Sequence, residues 1–295
     1  MKSGFAAILG RPNVGKSTLI NKIVNHRVSI VTDKSQTTRN NIIGIYNDET
    51  TQIVFLDTPG IHKPTQKLGQ EMNNMAYSAA HDVDVALLVV DASKPFGTGD
   101  QFIIDHLDIH HVPLIIVFNK IDLARLDKAE ELKKIYREIF KDAVFVDTVA
   151  KEGFNVDYLI KTVTGFLKEG PAYYPVEMIT DKDEIFQIKE IIREKVLKKL
   201  KEEVPHAIAI YMDHIDWDKK PIQILASIIV EKESQKGIVF GAGGKRIKEI
   251  GSLARQDIER LLNKHVYLEL QVKVDADWRN ESSSRGFRPT LLLRL

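Results

Sequence analysis

The chain of 295 residues contains no cysteine and only two tryptophans. Without cysteine it can form no disulfide, no thiolate metal site and no cysteine nucleophile. Its longest apolar runs, residues 83–90 and 112–118, are far too short to span a bilayer and are typical of buried parallel strands. Because the first apolar segment begins almost at Met1, we expect no signal peptide. We also expect a cytoplasmic location, with which a cysteine-free chain is compatible.

The chain also lacks a strong net charge of either sign, because it has 42 Lys and Arg and 41 Asp and Glu, which gives a net charge of +1. From residue 181 onward, 22 Lys and Arg face 19 Asp and Glu, so the earlier part of the chain is slightly acidic. This asymmetry is small and gives only weak support to a polyanionic partner for the C-terminal part.

The length predicts two domains of about 150 residues each. Residues 1–168 alternate apolar strands with helical patterns, which is typical of a mostly parallel sheet covered by helices. Two strands flank Asn47-Asp48-Glu49 and predict a hairpin, which adds one antiparallel strand. We predict an α/β fold with a mixed six-stranded sheet, with strands near 5–9, 42–47, 52–57, 84–91, 113–119 and 143–148 and helices near 16–25, 68–80, 99–109, 128–140 and 155–168.

Glycine and proline interrupt this pattern at Glu169-Gly170-Pro171 and predict an interdomain linker over residues 169–180. Residues 181–280 then form a second, α+β domain in the order α-β-β-α-α-β, if a short helix precedes the glycines at 241–244. Its other helices are predicted near 183–201 and 245–263, and its strands near 206–216, 222–233 and 266–274. Residues 281–295 are a tail of unknown role.

The most informative segment is residues 10–17, which read G-x-x-x-x-G-K-S between an apolar strand and a helix. This is the phosphate-cradling P-loop, in which backbone N–H groups and the helix N-terminus face phosphate oxygens. Lys16 is predicted to reach the β- and γ-phosphates, and Ser17 to ligate Mg²⁺. The predicted nucleotide contacts here are Gly10, Arg11, Pro12, Asn13, Val14, Gly15, Lys16, Ser17 and Thr18.

The base is indicated by Asn119-Lys120-Ile121-Asp122, which follows another apolar strand. Guanine has an N1–H and an N2 amino group, and the Asp122 carboxylate can accept from both. Adenine has no such pair of donors and would leave a carboxylate unpaired, which discriminates strongly against it. The sequence therefore predicts a site for GTP and GDP.

Asp57-Thr58-Pro59-Gly60 follows a third apolar strand and completes the predicted phosphate and metal site. Asp57 would hold Mg²⁺ through water, and the Gly60 N–H would sense the γ-phosphate. Gln36-Thr37-Thr38-Arg39 could close over the nucleotide, with Thr38 preferred to Thr37 as the metal contact. Predicted metal contacts are Ser17, Thr38 and Asp57, and predicted catalytic residues are Lys16, Thr38 and Gly60.

A fifth element is expected at residues 148–151, where the Ala150 N–H would meet guanine O6. The five elements in this order resemble the TrmE–Era branch of translation-factor-like GTPases, over residues 1–168. The resemblance implies GTP binding, Mg²⁺ dependence and slow hydrolysis. Val149 departs from the usual serine of the fifth element, and Ile61 stands where many small GTPases carry a glutamine that orients water.

The second domain contains G-x-x-G at 241–244, between an apolar segment and a basic helix start. In KH domains such a loop clamps a single-stranded nucleic-acid backbone, and a neighbouring groove reads about four bases. The predicted RNA contacts are Ile238, Val239, Gly241, Ala242, Gly243, Gly244, Lys245, Arg246 and Ile247, with Ile238, Val239 and Ile247 lining the apolar groove.

A GTPase domain followed by a KH domain of type II order resembles the Era family of ribosome-assembly GTPases. The resemblance covers residues 1 to about 280 and includes Asp277-Trp278-Arg279, whereas residues 282–295 depart from it. It implies binding near the 3′ end of small-subunit ribosomal RNA, a role in assembly of the small ribosomal subunit, a monomer, and peripheral association with the inner membrane.

Two other functions are compatible with these residues. Ile61 leaves open an RNA-binding scaffold in which GTP is structural and turnover is negligible. A P-loop kinase is a third reading, but Asn119-Lys120-Ile121-Asp122 and the absence of an acceptor-site motif argue against it.

Overall fold

The computed structural model describes residues 1–32, 34, 37–38, 41–64, 67–107, 111–200, 208–276 and 278. The chain forms two compact units, Met1–Lys182 and Asp183–Leu295. Predictions for Gln36 and Arg39, for the strand start at residue 206 and for the tail at 281–295 lie outside the described residues. Among the described helices, none has both the length and the apolar character needed to cross a bilayer.

The first unit is built on a mixed sheet with the strand order β2-β3-β1-β4-β5-β6. Only β2 and a short seventh strand are antiparallel to their neighbours. The strands are β1 (Lys2–Gly10), β2 (Ile42–Asn47), β3 (Thr51–Asp57), β4 (Val85–Asp91), β5 (Leu114–Asn119), β6 (Val144–Thr148) and β7 (Lys168–Glu169). The predicted α/β fold with six strands is confirmed, and β7, which is too short to leave a pattern in the sequence, adds a two-residue pairing with β1.

Within the described part of this unit, five α-helices accompany the sheet: α1 (Lys16–Ile23), α2 (Lys67–His81), α3 (Thr98–His106), α4 (Leu126–Ile139) and α5 (Val156–Phe166). Buried side chains of α2, α3 and α4 pack with alternate residues of β1, β4 and β5 in one continuous core. Helices α1 and α5 contact each other and β1. Alternation of side chains along the central strands thus supplies both layers, as expected for parallel strands that are buried on both faces.

The register of the sheet brings the polar ends of its strands together. Ile8 pairs with Asp57, Asp91 pairs with Asn119, and Asn119 pairs with Thr148. Because the carboxyl ends of parallel strands meet at one edge, the three predicted nucleotide segments lie side by side there.

The segment predicted as a linker lies along the first unit. The Gly170 N–H donates to the Met1 carbonyl, and the Tyr173 N–H donates to Gln52 Oε1 at 2.7 Å. Further along, the Ile45 N–H of β2 donates to the Ile179 carbonyl at 2.8 Å. Residues 169–179 are therefore fastened across the sheet, and the first unit extends to Lys182.

The second unit has a three-stranded sheet in the order β10-β9-β8. β8 (Ile208–Asp216) and β9 (Ile222–Val230) are antiparallel, and β10 (Val266–Val274) is parallel to β9. The helices are α6 (Glu184–Lys199), whose N-cap Asp183 accepts from the Phe186 N–H, and then α7 (Glu233–Phe240) and α8 (Lys245–Leu262). The order α-β-β-α-α-β and the short helix before the glycine loop agree with the predicted α+β fold.

Candidate nucleotide site and RNA-binding loop

The P-loop connects the end of β1 to the start of α1. Gly15 precedes the helix with φ 105°, in the left-handed region that favours glycine. A Cβ at this position would lie 2.2 Å from the side-chain nitrogen of Asn119. The loop therefore needs glycine both for its backbone conformation and for the close approach of the guanine-recognition segment.

Lys16 is buried at the start of α1. Its Nζ donates to the Gly10 carbonyl at 3.1 Å and to the Arg11 carbonyl at 3.0 Å. Burial lowers the pKa of Lys16 to about 8, and the nearby Asp57 carboxylate only partly opposes this shift. Phosphate oxygens placed beside the ammonium would favour its charged form, so the side chain is held where a nucleotide's phosphates would engage it.

The predicted metal contacts converge around Asp57. Ser17 Oγ donates to Asp57 Oδ2 at 2.7 Å and lies 3.1 Å from Thr38 Oγ1. Asp57 is fully buried, and its Oδ1 has no hydrogen-bond partner among the described residues. Burial raises the pKa of Asp57, against the lowering effect of Lys16 and the two serine hydroxyls. A buried carboxylate oxygen beside two hydroxyls is an oxygen set that suits a hard cation such as Mg²⁺.

Ser29 was not predicted from the sequence, yet it holds the same carboxylate. Its hydroxyl donates to Asp57 Oδ2 at 2.7 Å, and Ser29 is 1% exposed. The Asn21 side chain fixes the Ser29 backbone, since Oδ1 accepts from the Ser29 N–H and Nδ2 donates to its carbonyl. No motif spacing marks Ser29 or Asn21, because only the folded chain brings the loop that carries Ser29 against Asn21 of α1.

Asn119 joins three of the predicted elements. Its Nδ2 donates to the Val14 carbonyl of the P-loop at 2.8 Å, and its Oδ1 accepts from the Ala150 N–H at 2.9 Å and from the Thr148 hydroxyl. This corrects the role predicted for Ala150. Its N–H donates to Asn119 rather than pointing free toward guanine O6, because the fifth element packs directly against the side chain that spans the site.

Lys120 is fixed by two contacts at the end of β5. Its Nζ donates to the Asn13 carbonyl at 2.6 Å and pairs with Asp91 Oδ2 at 2.7 Å. Asp91 ends β4 and was not predicted as a site residue. Asp122 lies in the short 3₁₀ turn Ile121–Leu123 and is exposed, so its carboxylate is accessible to a base placed over the P-loop.

The side chains of two other predicted contacts, Arg11 and Thr58, are bonded within the protein. The Arg11 guanidinium turns away to Asp100 at 2.8 Å, although its carbonyl accepts from Lys16. The Thr58 hydroxyl is buried and donates to the Ile8 carbonyl at 2.7 Å, which anchors the strand end rather than contacting a ligand. Gly60 nevertheless lines the cavity together with Pro12, Thr18 and Thr38, and this cavity holds about 350 Å³, within the range of small-molecule sites.

Ile61 is fully buried in the core formed with α2, α3 and α4. Its N–H donates to the Gly10 carbonyl at 3.1 Å, so the side chain faces the core and cannot orient a water molecule. His62 Nδ1 lies 3.0 Å from the Gly60 carbonyl, and Asn73 bonds both the N–H and the carbonyl of His62. His62 is held as part of a structural turn and is not poised as a base.

In the second unit, the glycine loop joins α7 to α8. Gly243 has φ 57°, and a Cβ there would meet nothing within 4 Å, so the loop opens toward solvent. Lys245 is exposed, and Arg246 donates to the Ile238 carbonyl across the loop. A chain of phosphates could therefore approach the backbone closely.

The apolar groove predicted beside this loop needs one correction. Ile238 is 41% exposed, but Val239 has no exposed surface and Ile247 is only 9% exposed, so both of these pack in the core. Ile238 and Val239 are successive residues of helix α7, and successive helical residues point in different directions, so these two side chains cannot share one open face. Phe240, which is 49% exposed, was missed although it immediately precedes the loop.

These two sites define the class of the protein: a P-loop GTPase followed by a KH domain. Residues 5–120 match the family described as 50S ribosome-binding GTPase, and residues 203–279 match the KH domain family. A point variant of Aquifex aeolicus Era bound to GDP and AlF4⁻ is 39% identical to the chain, with a TM-score of 0.89, over 96% of this chain and 97% of that one. An Era structure with MgGDPNP and nucleotides 1506–1542 of 16S ribosomal RNA has the same identity and TM-score, over 96% of both chains. The chain belongs to the Era family.

Proposed function

We propose that the chain is a GTP-binding, slowly GTP-hydrolysing switch that binds single-stranded RNA near the 3′ end of small-subunit ribosomal RNA and assists assembly of the small ribosomal subunit. One observation carries the proposal: the P-loop site and the exposed glycine loop occur in one chain that matches, over 96% of its length, an Era structure holding MgGDPNP and 16S ribosomal RNA. The description of the GTPase family names the 50S ribosome, but that family matches only residues 5–120. We therefore follow the match that spans both units.

In the nucleotide site, different residues bind the phosphates, the guanine base and Mg²⁺. The P-loop N–H groups and Lys16 bind the phosphates, while Asp122 accepts from guanine and Asn119 keeps the base segment against the P-loop. Ser17, Thr38 and Asp57 would hold Mg²⁺, which neutralises charge on the phosphate oxygens when bound. The Gly60 N–H is predicted to sense the γ-phosphate. Thr58, two residues before Gly60, is bonded to β1, and Ile61, directly after it, is bonded to the P-loop backbone.

The slow rate follows from Ile61. Its buried side chain offers no group for the attacking water, and His62 is engaged by the Gly60 carbonyl. Hydrolysis then depends on backbone positioning and on a partner that orders the residues around Thr38. Ordering of such segments by a γ-phosphate is a common switch mechanism, and here it would change how the KH domain engages RNA.

The buried side chain of Ile61 also favours a second candidate function, an RNA-binding scaffold in which GTP is structural and turnover is negligible. Single-turnover hydrolysis, measured alone, with RNA and with small subunits, separates the two. Acceleration by RNA or small subunits supports the switch, and a rate that neither changes supports the scaffold. Crosslinking to cellular RNA with GTP and then with GDP tests the partner: a nucleotide-dependent enrichment of small-subunit RNA is expected.

Base recognition is tested with Asp122→Asn. The amide presents a donor where the carboxylate presented an acceptor, so preference should shift from guanosine to xanthosine nucleotides. A variant that still prefers GTP would contradict the assignment of Asp122.

Cytoplasmic location and a monomeric state are further proposals, checked by fractionation and light scattering. Peripheral membrane association rests on the family resemblance alone, and flotation with inner-membrane vesicles would test it.

A further inference from the structure

The second unit has a cavity of about 970 Å³ at the end of its sheet where β9 and β10 begin. Its walls come from the turn at 217–221 between β8 and β9, from the start of β10 and from the later turns of α8. The glycine loop lies at the opposite end of α8, whose 18 residues extend for about 27 Å. The cavity surface is therefore separate from the predicted RNA-binding loop.

Two aromatic side chains line this cavity and remain exposed. Trp217 is 40% exposed and Tyr267 is 54% exposed. Tyr267 follows Val266, which is buried, so strand alternation places the tyrosine on the other face of the sheet. Exposed aromatic rings offer stacking surfaces, and every nucleic-acid base can stack on one.

The charge of the lining is mostly positive. Lys219, Lys220, Arg255 and Lys264 stand against the single carboxylate of Glu259. That carboxylate already accepts from the Val266 N–H at 3.0 Å and lies 3.6 Å from Arg255. Within the part of the chain that the structure describes, Lys220 and Lys264 form no ion pair. The surface thus combines cations with stacking platforms, which is the combination that single-stranded nucleic acid requires.

We propose that this cavity is a second RNA-binding surface, where a base stacks on Trp217 while Lys220 and Lys264 contact the flanking phosphates. The proposal rests on the proposed RNA-binding function of the second unit. A glycine loop of the KH type clamps about four nucleotides, whereas the related Era complex holds nucleotides 1506–1542. Tryptophan, tyrosine and arginine occur at both protein and nucleic-acid interfaces, but the three lysines of the lining favour RNA, because lysine is depleted at protein interfaces.

The first experiment uses Trp217 as its own reporter. The chain has two tryptophans, so Trp278→Phe leaves Trp217 as the only one. The probe is RNA that copies nucleotides 1506–1542 of 16S ribosomal RNA. Stacking predicts saturable quenching of Trp217 fluorescence, and unchanged fluorescence at saturating RNA would overturn the proposal.

The second experiment measures affinity for the same RNA. Trp217→Ala should weaken binding about tenfold, as expected for loss of one base–aromatic stack, and Trp217→Phe should restore most of it. Lys220→Ala and Lys264→Ala should each lower the slope of log affinity against log salt by about 0.7. Tyr158→Ala is the matched control, since that tyrosine is 56% exposed on the first unit and should leave affinity unchanged.

A glycine-loop variant, Ala242→Asp with Gly243→Asp, separates this proposal from the function on which it rests. If that variant loses RNA binding while Trp217→Ala binds normally, the second surface is refuted and the KH function stands, with the cavity left for a protein partner. If the unaltered chain does not bind the RNA, both proposals fall. Thermal unfolding of each variant confirms that the exposed substitutions leave the fold intact.

Discussion

The chain contains two glycine loops that each lead into a helix, and one loop is enclosed by side chains while the other is open. In both units a glycine loop leads into a helix whose first residue is lysine, Lys16 in α1 and Lys245 in α8. Lys16 is 6% exposed and is bonded to two backbone carbonyls, whereas Lys245 is exposed. The two loops therefore share backbone geometry and dipole but differ in what surrounds them.

The difference explains which ligand each loop can hold. Side chains at the ends of two strands, β3 and β5, enclose the P-loop: Asn119 bonds its backbone, Lys120 bonds Asn13, and Asp57 bonds Ser17. Such a preorganised pocket suits a small, densely charged ligand that fills it. Among the residues that the structure describes, none encloses Gly243 in this way, and a Cβ there would meet none of their atoms within 4 Å. An open loop suits a polymer backbone that passes across it.

The largest test of this contrast is truncation of the enclosed lysine. Lys16→Ala should weaken GDP and GTP binding by about 100-fold or more, because removing a buried charged partner leaves phosphate charge uncompensated. Titration with fluorescent GDP and GTP measures the two affinities. Lys245→Ala is the matched control and should leave nucleotide affinity within about twofold. Equal losses in the two variants would mean that enclosure does not distinguish the loops.

The reciprocal test adds charge to the open loop. Ala242→Asp with Gly243→Asp should weaken RNA binding by about tenfold or more, since two carboxylates would face phosphates. Asp tolerates the left-handed conformation of Gly243, and there is room for its Cβ. Ala242→Asn with Gly243→Asn keeps shape without charge and should bind RNA nearly normally. A similar loss in both variants would show that glycine flexibility, rather than charge, is required.

A smaller effect is expected at Ser29, which supports the enclosure without touching a ligand. Ser29→Ala removes the hydrogen bond to Asp57 Oδ2 and leaves that buried carboxylate less well oriented. Mg²⁺-dependent nucleotide affinity should fall about tenfold, the cost of roughly one such hydrogen bond, while Mg²⁺-independent GDP binding changes little. Ser93→Ala, another serine that bonds an aspartate at a strand end, should leave the Mg²⁺ dependence unchanged.

The fold and the motif segments were predictable because their signals are local. Apolar strands followed by glycine or polar ends predicted β1, β3 and β5, and the sheet register then brought Asp57, Asn119 and Thr148 to one edge. The glycines before α1 and α8 likewise marked helix starts. The individual ligand contacts at both loops stay predictions.

What escaped prediction depends on tertiary structure. Ser29 and Asp91 carry no motif, and only the folded chain shows that they hold Asp57 and Lys120. The apolar run before the second loop could not show which of its residues faces outward, so Val239 was misplaced and Phe240 overlooked. The linker prediction over residues 169–180 does not include a pairing with the sheet, because the two residue pairs that join β7 to β1 leave no periodic signal in the sequence.

The finest test of the contrast is the effect of pH on the enclosed lysine. Burial lowers the pKa of Lys16 to about 8, and bound phosphate should raise it again, so binding above that pH takes up a proton. Below it, Lys16 is protonated with or without nucleotide and affinity is flat. Affinity for GDP should therefore fall about threefold between roughly pH 7.5 and 8.5, with proton uptake measurable by calorimetry in buffers of different ionisation enthalpy. Lys16→Arg keeps its charge throughout, and any titration of the nucleotide itself is common to both proteins. A fall of equal size in Lys16→Arg would mean that another group titrates. Phosphate binding by the enclosed loop would then depend on its backbone N–H groups and its shape rather than on the lowered pKa of Lys16.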